Sequence, residues 1–185
     1  IRDFCLSRGL GVVYKRQVLI RAVKLLQEWG VACRVTMTQS GPLEETLKQF
    51  VRKCDLPVDF VGMVPISLLI NLMEQCSCYV ATGREEPWGI RVNDALHCGA
   101  PLMVSRGMGA CQIVDEFGCG MTFNAEDSVD LAHKLRRMII DRELYLKLSS
   151  RVSEASEKSR PHYVAAQMVQ FLEENCAAWS TKREV

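Results

Sequence analysis

The chain has 185 residues, enough to bury about 70% of the surface its unfolded form exposes, so one domain can stand without staples. Its residues are 48% hydrophobic and 24% charged with no long polar or Pro/Gly-rich tract, which excludes a disordered or linker chain. A net charge of +1 with both signs interspersed excludes the broad positive field of a nucleic-acid or anionic-membrane binder.

In chain order, Phe4 to Leu6 reads as a strand, followed by a glycine-bearing loop from Arg8 to Tyr14. Leu19, Ala22, Val23, Leu26 and Trp29 then recur at helical spacing, with Arg21, Lys24 and Glu28 opposite, which predicts a helix laid on a sheet. Gly30 ends it, and Val31, Cys33, Val35 and Met37 alternate as a strand up to the Ser40-Gly41-Pro42 turn. A second helix carries the stripe Leu43, Leu47, Phe50, Val51 and Cys54. Pro57 breaks it, Val58 to Val61 forms a strand, and Gly62 a turn. The third helix buries Leu68, Leu69, Leu72, Met73 and Cys76.

Ser77 to Ala81 is the next strand, Thr82 to Trp88 a polar loop, Gly89 to His97 a short helix, and Leu102 to Ser105 a further strand. A glycine-rich loop follows from Arg106 to Gly109, then a helix to Phe117, a turn at Gly118 and Gly120, and a strand from Met121 to Phe123. Ser128 is the expected N-cap of a helix through Ile140. Two more helices, Arg142 to Lys158 and His162 to Trp179, are separated by Pro161. Val164, Met168, Phe171 and Leu172 give the last one an apolar face. Strands alternating with amphipathic helices are the signature of an α/β domain with a parallel sheet.

Nine cysteines, odd in number and mostly in apolar runs, read as buried reduced thiols of a cytosolic protein. Cys76 and Cys78 lack the second pair and the nearby histidines of a zinc site, so no metal is expected. His97, His133 and His162 each lack a partner at catalytic spacing and read as surface or packing residues. No charged leader and no run of about eighteen apolar residues is present, so neither signal peptide nor membrane span is read. The opening on Ile1, straight into a strand pattern, leads us to expect a piece of a longer protein.

Ligands of open α/β sheets bind beyond the carboxyl ends of the strands, which singles out the loop Thr82 to Gly89. It feeds a helix N-terminus, where unpaired amides and the helix dipole favour an anion such as phosphate. Glu86 precedes that terminus, and Asp94, four residues after Ile90, leans back toward the first turn. Carboxylates beside a phosphate site make sense as acceptors for neutral hydroxyl donors. A plainer alternative is an acid complementing the dipole plus a solvated aspartate.

The run Glu86-Pro87-Trp88-Gly89-Ile90, Asp94-Ala95-Leu96 and Cys98-Gly99-Ala100-Pro101 resembles the C-terminal domain of retaining GT-B glycosyltransferases of the family 4, or group 1, type. That family carries E-x-F-G-(L), a second Glu eight residues after the first, then A-(M/L) and C-G-x-P. Tyr14-Lys15-Arg16, Ser40-Gly41-Pro42-Leu43, Val58 to Gly62 and Arg106 to Gly109 agree in order along nearly the whole chain. The resemblance departs at Asp94, where the family has the longer Glu, and at Gln39, where it has Gly. It departs also in the wider spacing of Arg8 and Lys15.

The resemblance implies a Rossmann-like three-layer domain, mostly parallel with helices on both faces, forming the C-terminal half of a GT-B enzyme. Residues 1–179 would be the donor-binding domain, with 162–179 a closing helix and 180–185 a frayed tail. The implied reaction moves a sugar from a nucleotide-diphosphate sugar to an acceptor hydroxyl, with retention and no catalytic metal or cofactor. Glu86, Lys15 and Arg8 would be catalytic: Glu86 accepting from sugar hydroxyls, the two cations balancing the departing diphosphate. Gly89 and Ile90 would offer amides to the diphosphate, Asp94 would hold the ribose, directly or through water, and Met63 and Val64 would border the base. Gly109 would line the donor site. The implied partners are a nucleotide sugar, the protein's own N-terminal domain and an acceptor sugar or lipid held there, with no nucleic acid. The fragment would be inactive alone, and the enzyme cytoplasmic, touching a membrane only through the other half. A module that has lost catalysis and an unrelated doubly wound interaction domain remain the alternatives.

Overall fold

The computed structural model describes the backbone of residues 2–6, 14–38, 41 and 43–180, and side chains between 16 and 175 within those ranges. Arg8 and Gln39 lie outside the described residues, as does the side chain of Lys15.

Strands β1 (Arg2–Leu6), β2 (Cys33–Thr38), β3 (Val58–Gly62), β4 (Cys78–Ala81), β5 (Leu102–Ser105) and β6 (Gly120–Phe123) form one sheet in the order β3-β2-β1-β4-β5-β6. Every neighbouring pair is parallel. Helices α1 (Tyr14–Glu28), α2 (Glu44–Lys53), α3 (Ile66–Gln75), α4 (Ile90–His97) and α5 (Cys111–Phe117) connect successive strands. Helices α6 (Ser128–Ile140), α7 (Arg142–Lys158) and α8 (Pro161–Ser180) follow β6. The chain runs outward from β1 to β3, crosses back to β4 and runs outward again, so strand order reverses between β1 and β4. In open α/β sheets ligands bind at such a switch point, beyond the carboxyl ends of the strands.

The apolar residues of each central strand divide between two cores because successive side chains point to opposite faces. Cys78 and Val80 join Met103 in the core under α1, α2 and α6, while Tyr79 and Ala81 join Leu102 and Val104 in the core under α3, α4 and α5. All four residues of β4, and all four of β5, are buried. That explains their unbroken apolar runs, since a sheet covered on both faces has no polar side to alternate with. Leu19, Ala22, Val23 and Leu26 of α1 are fully buried. Burial of a leucine contributes about 1.5–3 kcal/mol relative to exposure.

Several positions depart from the sequence expectation. Trp29 lies beyond the end of α1, is 37% exposed, and sets its ring 4.7 Å from that of His133. Phe50 and Leu68 sit at the margins of their helices' apolar stripes and are exposed, while Leu47, Val51, Leu69 and Met73 are buried. The N-cap of α6 is Asp127 rather than Ser128: its carboxylate accepts from the amides of Val129 at 3.0 Å and Asp130 at 2.9 Å. An ionised cap also meets the helix dipole, which a serine does not. Pro161 begins α8 instead of merely preceding it; a first helical residue needs no N–H. The residues read as the apolar face of α8, Val164, Met168, Phe171 and Leu172, are all exposed.

The seven cysteines with described side chains are all free thiols. Burial pushes Cys33 and Cys119 up to about 11, since a thiolate is poorly solvated in an apolar core. Among the described residues, no helix is long and apolar enough to cross a membrane.

Candidate functional site at the β4–α4 connection

The β4–α4 loop lies beside the β5–α5 loop, and hydrogen bonds between them carry the parallel pairing of β4 and β5 past the sheet. Glu86 N–H donates to Gly107 O at 2.9 Å, Gly109 N–H to Glu86 O at 3.1 Å, and Ala110 N–H to Trp88 O at 3.0 Å. Glu86 and Met108 thereby form a parallel bridge of their own. The backbone on both sides of Glu86 is thus fixed by a second loop.

Met108 is the packing centre of this junction and is 3% exposed. Its Sδ accepts from Gly83 N–H at 3.1 Å, and a Cβ at Gly83 would fall 2.3 Å from its Cγ. A Cβ at Gly89 would fall 2.3 Å from Met108 Cε. The Glu86 carboxylate stands over the same two glycines, with Oε2 3.1 Å from the Gly83 Cβ position and Oε1 3.8 Å from that of Gly89. Gly89 also has φ +103, a left-handed backbone in which a side chain is strained. This turn aims the start of α4 at the loop that carries Glu86.

The first intrahelical bond of α4 runs from Val92 N–H to Gly89 O at 2.8 Å. Among the described residues no acceptor engages the amides of Gly89, Ile90 or Arg91, as at any helix start. Gly89 is the left-handed cap, and Ile90 is 74% exposed. Trp88 is 40% exposed and donates through Nε1 to Asn93 Oδ1 at 2.8 Å. Asp94 faces a partner in its own helix: Arg91 Nη1 donates to its Oδ2 at 2.6 Å.

A shallow depression of about 540 Å³ beside this loop is lined by Arg84, Glu86, Arg106, Met108, Gly109 and their neighbours. It brings Glu86 and Gly109 together and leaves Gly89, Ile90, Asp94, Met63 and Val64 outside its lining. Gly109 contributes by position, since its amide is already engaged by Glu86 O. The two arginines are exposed and anchored, Arg84 by Glu126 at 3.3 Å and Arg106 by Asp115 at 3.4 Å. Met63, 68% exposed, and Val64, half-buried against the core of α3 and α4, follow β3 on the other side of the switch point.

Lys15 is the second residue of α1, which follows β1, the strand next to β4 at the switch point. Its neighbour Arg16 donates to Thr38 O at 3.3 Å, tying the start of α1 to the end of β2. Burial draws the Arg16 guanidinium below the usual arginine range, opposed by the charge of Glu44. Among the described residues no three of His, Cys, Asp and Glu gather as a metal site. The Arg91–Asp94 pair and the Met108 packing were not read from the sequence; a cation in the first turn of a helix was the available signal for the former.

The family model described as Glycosyl transferases group 1 matches residues 12–158. A GDP-mannose-dependent alpha-(1-6)-phosphatidylinositol dimannoside mannosyltransferase from Mycobacterium tuberculosis is 26% identical over 121 residues, 65% of this chain and 31% of its own length. The chain therefore spans about a third of that relative. HepE from Anabaena, solved with UDP and glucose, matches with TM-score 0.73 at 19% identity over 92% of this chain and 48% of its own. The C-terminal domain of a group 1 glycosyl transferase (LpcC) from Francisella tularensis matches with TM-score 0.73 at 16% identity over 85% of each chain. At these identities the structures speak to the fold, which is that of a GT-B domain.

Proposed function

This chain belongs to the glycosyl transferases group 1 family, and from that premise we propose that it is the donor-binding half of a retaining sugar transferase. The donor is a nucleotide-diphosphate sugar and the acceptor a hydroxyl held by the rest of the protein. The observation that carries the reading is the Glu86 carboxylate held beside the open start of α4, at the sheet's switch point. Glu86 accepts hydrogen bonds from the sugar hydroxyls, and the amides of Gly89 and Ile90 receive the diphosphate. Asp94 accepts from the ribose, Met63 and Val64 border the base, and Gly109 closes the site behind Glu86.

Transfer breaks the bond between the anomeric carbon and the diphosphate oxygen, and the acceptor oxygen forms its bond on the same face as its proton passes to the departing diphosphate. Negative charge grows on the departing diphosphate, so the amides at α4 with the cations Lys15 and Arg8 stabilise the transition state more than the ground state. In this reading those cations supply the counter-charge, and the reaction calls for no metal or cofactor. The relatives named as GDP-mannose-dependent, or solved with UDP and glucose, support a nucleotide-sugar donor. Family membership also argues against the unrelated interaction domain. The cytoplasm is the proposed location, with any membrane contact made outside this chain.

The test is a transfer assay on the full-length protein with α-linked UDP-, GDP- and ADP-sugars, the product's anomeric configuration read by NMR. The expected product is α-linked, and the 185-residue chain alone gives no turnover. An inverted product, or turnover by this chain unaided, contradicts the proposal. Hydrolysis and transfer both absent, with donor still bound, would favour a binding module without catalysis.

A further inference from the structure

Arg91 stands where helix energetics disfavour it. It is the second residue of α4, at the positive end of the helix dipole, and its partner Asp94 lies toward the other end. A pair with the cation N-terminal to the acid is the weaker of the two orientations on a helix. The pair is nevertheless the best defined of its kind here. Nη1 meets Oδ2 at 2.6 Å, and the Arg91 side chain is 21% exposed. Every other arginine in an ion pair among the described residues leaves more than half of its side chain exposed. A locally unfavourable arrangement held in ordered geometry is characteristic of a functional site.

We propose that Arg91 is the positioning residue of the ribose subsite. Its guanidinium holds the Asp94 carboxylate through Oδ2 and leaves Oδ1 to accept from a ribose hydroxyl. Among the described residues no hydrogen-bond donor engages Oδ1. The bond between Trp88 and Asn93 secures the same turn from the neighbouring residue, so the carboxylate is presented from a braced segment. An aspartate has two side-chain torsions to settle; a charge-assisted bond to a half-buried guanidinium selects one arrangement before the ligand arrives. Arg91 touches no substrate atom in this role. It acts through Asp94, and its removal lowers the preference for a ribose over a sugar lacking the hydroxyls. The inference rests on the donor site proposed above.

The test titrates the full-length protein calorimetrically with UDP, GDP and ADP, then compares the tightest of these with its 2′,3′-dideoxy counterpart. The unaltered protein is expected to prefer the ribose form about tenfold, the usual scale of a hydrogen bond to a charged acceptor. Arg91→Ala is expected to reduce that preference to about twofold or less while binding the dideoxy form as before, which also reports an intact fold. Arg91→Lys, which keeps one donor, is expected to restore part of it. Equal weakening of both ligands by Arg91→Ala, or an unchanged preference, overturns the proposal. An unaltered protein that binds diphosphates without preferring the ribose form overturns it too, while donor binding stands. No binding of any nucleoside diphosphate overturns donor binding and, with it, this inference.

Discussion

Glu86→Ala is expected to lower kcat/KM for sugar transfer by about a hundredfold to a thousandfold, the scale seen when one transition-state hydrogen-bonding group is removed. The hydrogen bonds that join Glu86 to Gly107 and Gly109 are made by its backbone. Alanine keeps them. The melting temperature is therefore expected to stay within a few degrees of the unaltered protein's. Glu85 is the internal control: its side chain is 85% exposed and pairs loosely with Arg84 at 3.6 Å. Glu85→Ala is expected to leave the rate within about twofold, as befits an exposed pair that contributes little. Steady-state kinetics on both variants decide the matter. Full activity of Glu86→Ala, or equal damage from Glu85→Ala, would contradict the assignment.

Gly109→Ala is expected to destabilise the fold by about 2–4 kcal/mol, the range of overpacked or strained sites. A Cβ there would lie 2.0 Å from Pro87 O, and backbone cannot yield as a flexible side chain can. Gly107 is constrained in the same way by Arg84 O, also 2.0 Å from its Cβ position. Either substitution pushes the β5–α5 loop off the β4–α4 loop and loosens Glu86, so activity falls along with stability. The contrast with Gly118 is instructive, since nothing lies within 4 Å of a Cβ there and only the positive φ resists substitution. Urea unfolding measures the difference. A loss under about 0.5 kcal/mol for Gly109→Ala would mean that the two loops are not in close contact.

Much of this architecture is legible in the sequence because its two periods are physically distinct. The stripe at Leu19, Ala22, Val23 and Leu26 can be satisfied only by a helix, and the unbroken apolar runs of β4 and β5 only by strands covered on both faces. Spacing does not say where a stripe ends. Phe50 and Leu68 keep helical register with buried neighbours yet fall on the margin, where the helix turns away from the sheet. Asp127 and Ser128 are both competent caps, and the helix start that chooses between them depends on a backbone angle, not on composition.

The candidate site was legible in one part and hidden in another. The resemblance singles out Glu86, Gly89 and Asp94 as donor-site residues, and Gly89 at the start of α4 has a left-handed backbone. Met108 carries no sequence signal, because a methionine in a loop becomes a packing centre only when Gly83 and Gly89 are brought over it. Asp94 was expected to lean toward the ligand; the neighbour three residues before it, a guanidinium, holds one of its oxygens. That pairing was available as a spacing, but its meaning depends on how far Arg91 is buried.

The most direct measurement for the donor site is calorimetric titration of the full-length protein with a panel of UDP-, GDP- and ADP-sugars, with circular dichroism confirming that it is folded. The expected result is saturable one-to-one binding of at least one nucleotide sugar. A folded protein that binds none of the panel contradicts it.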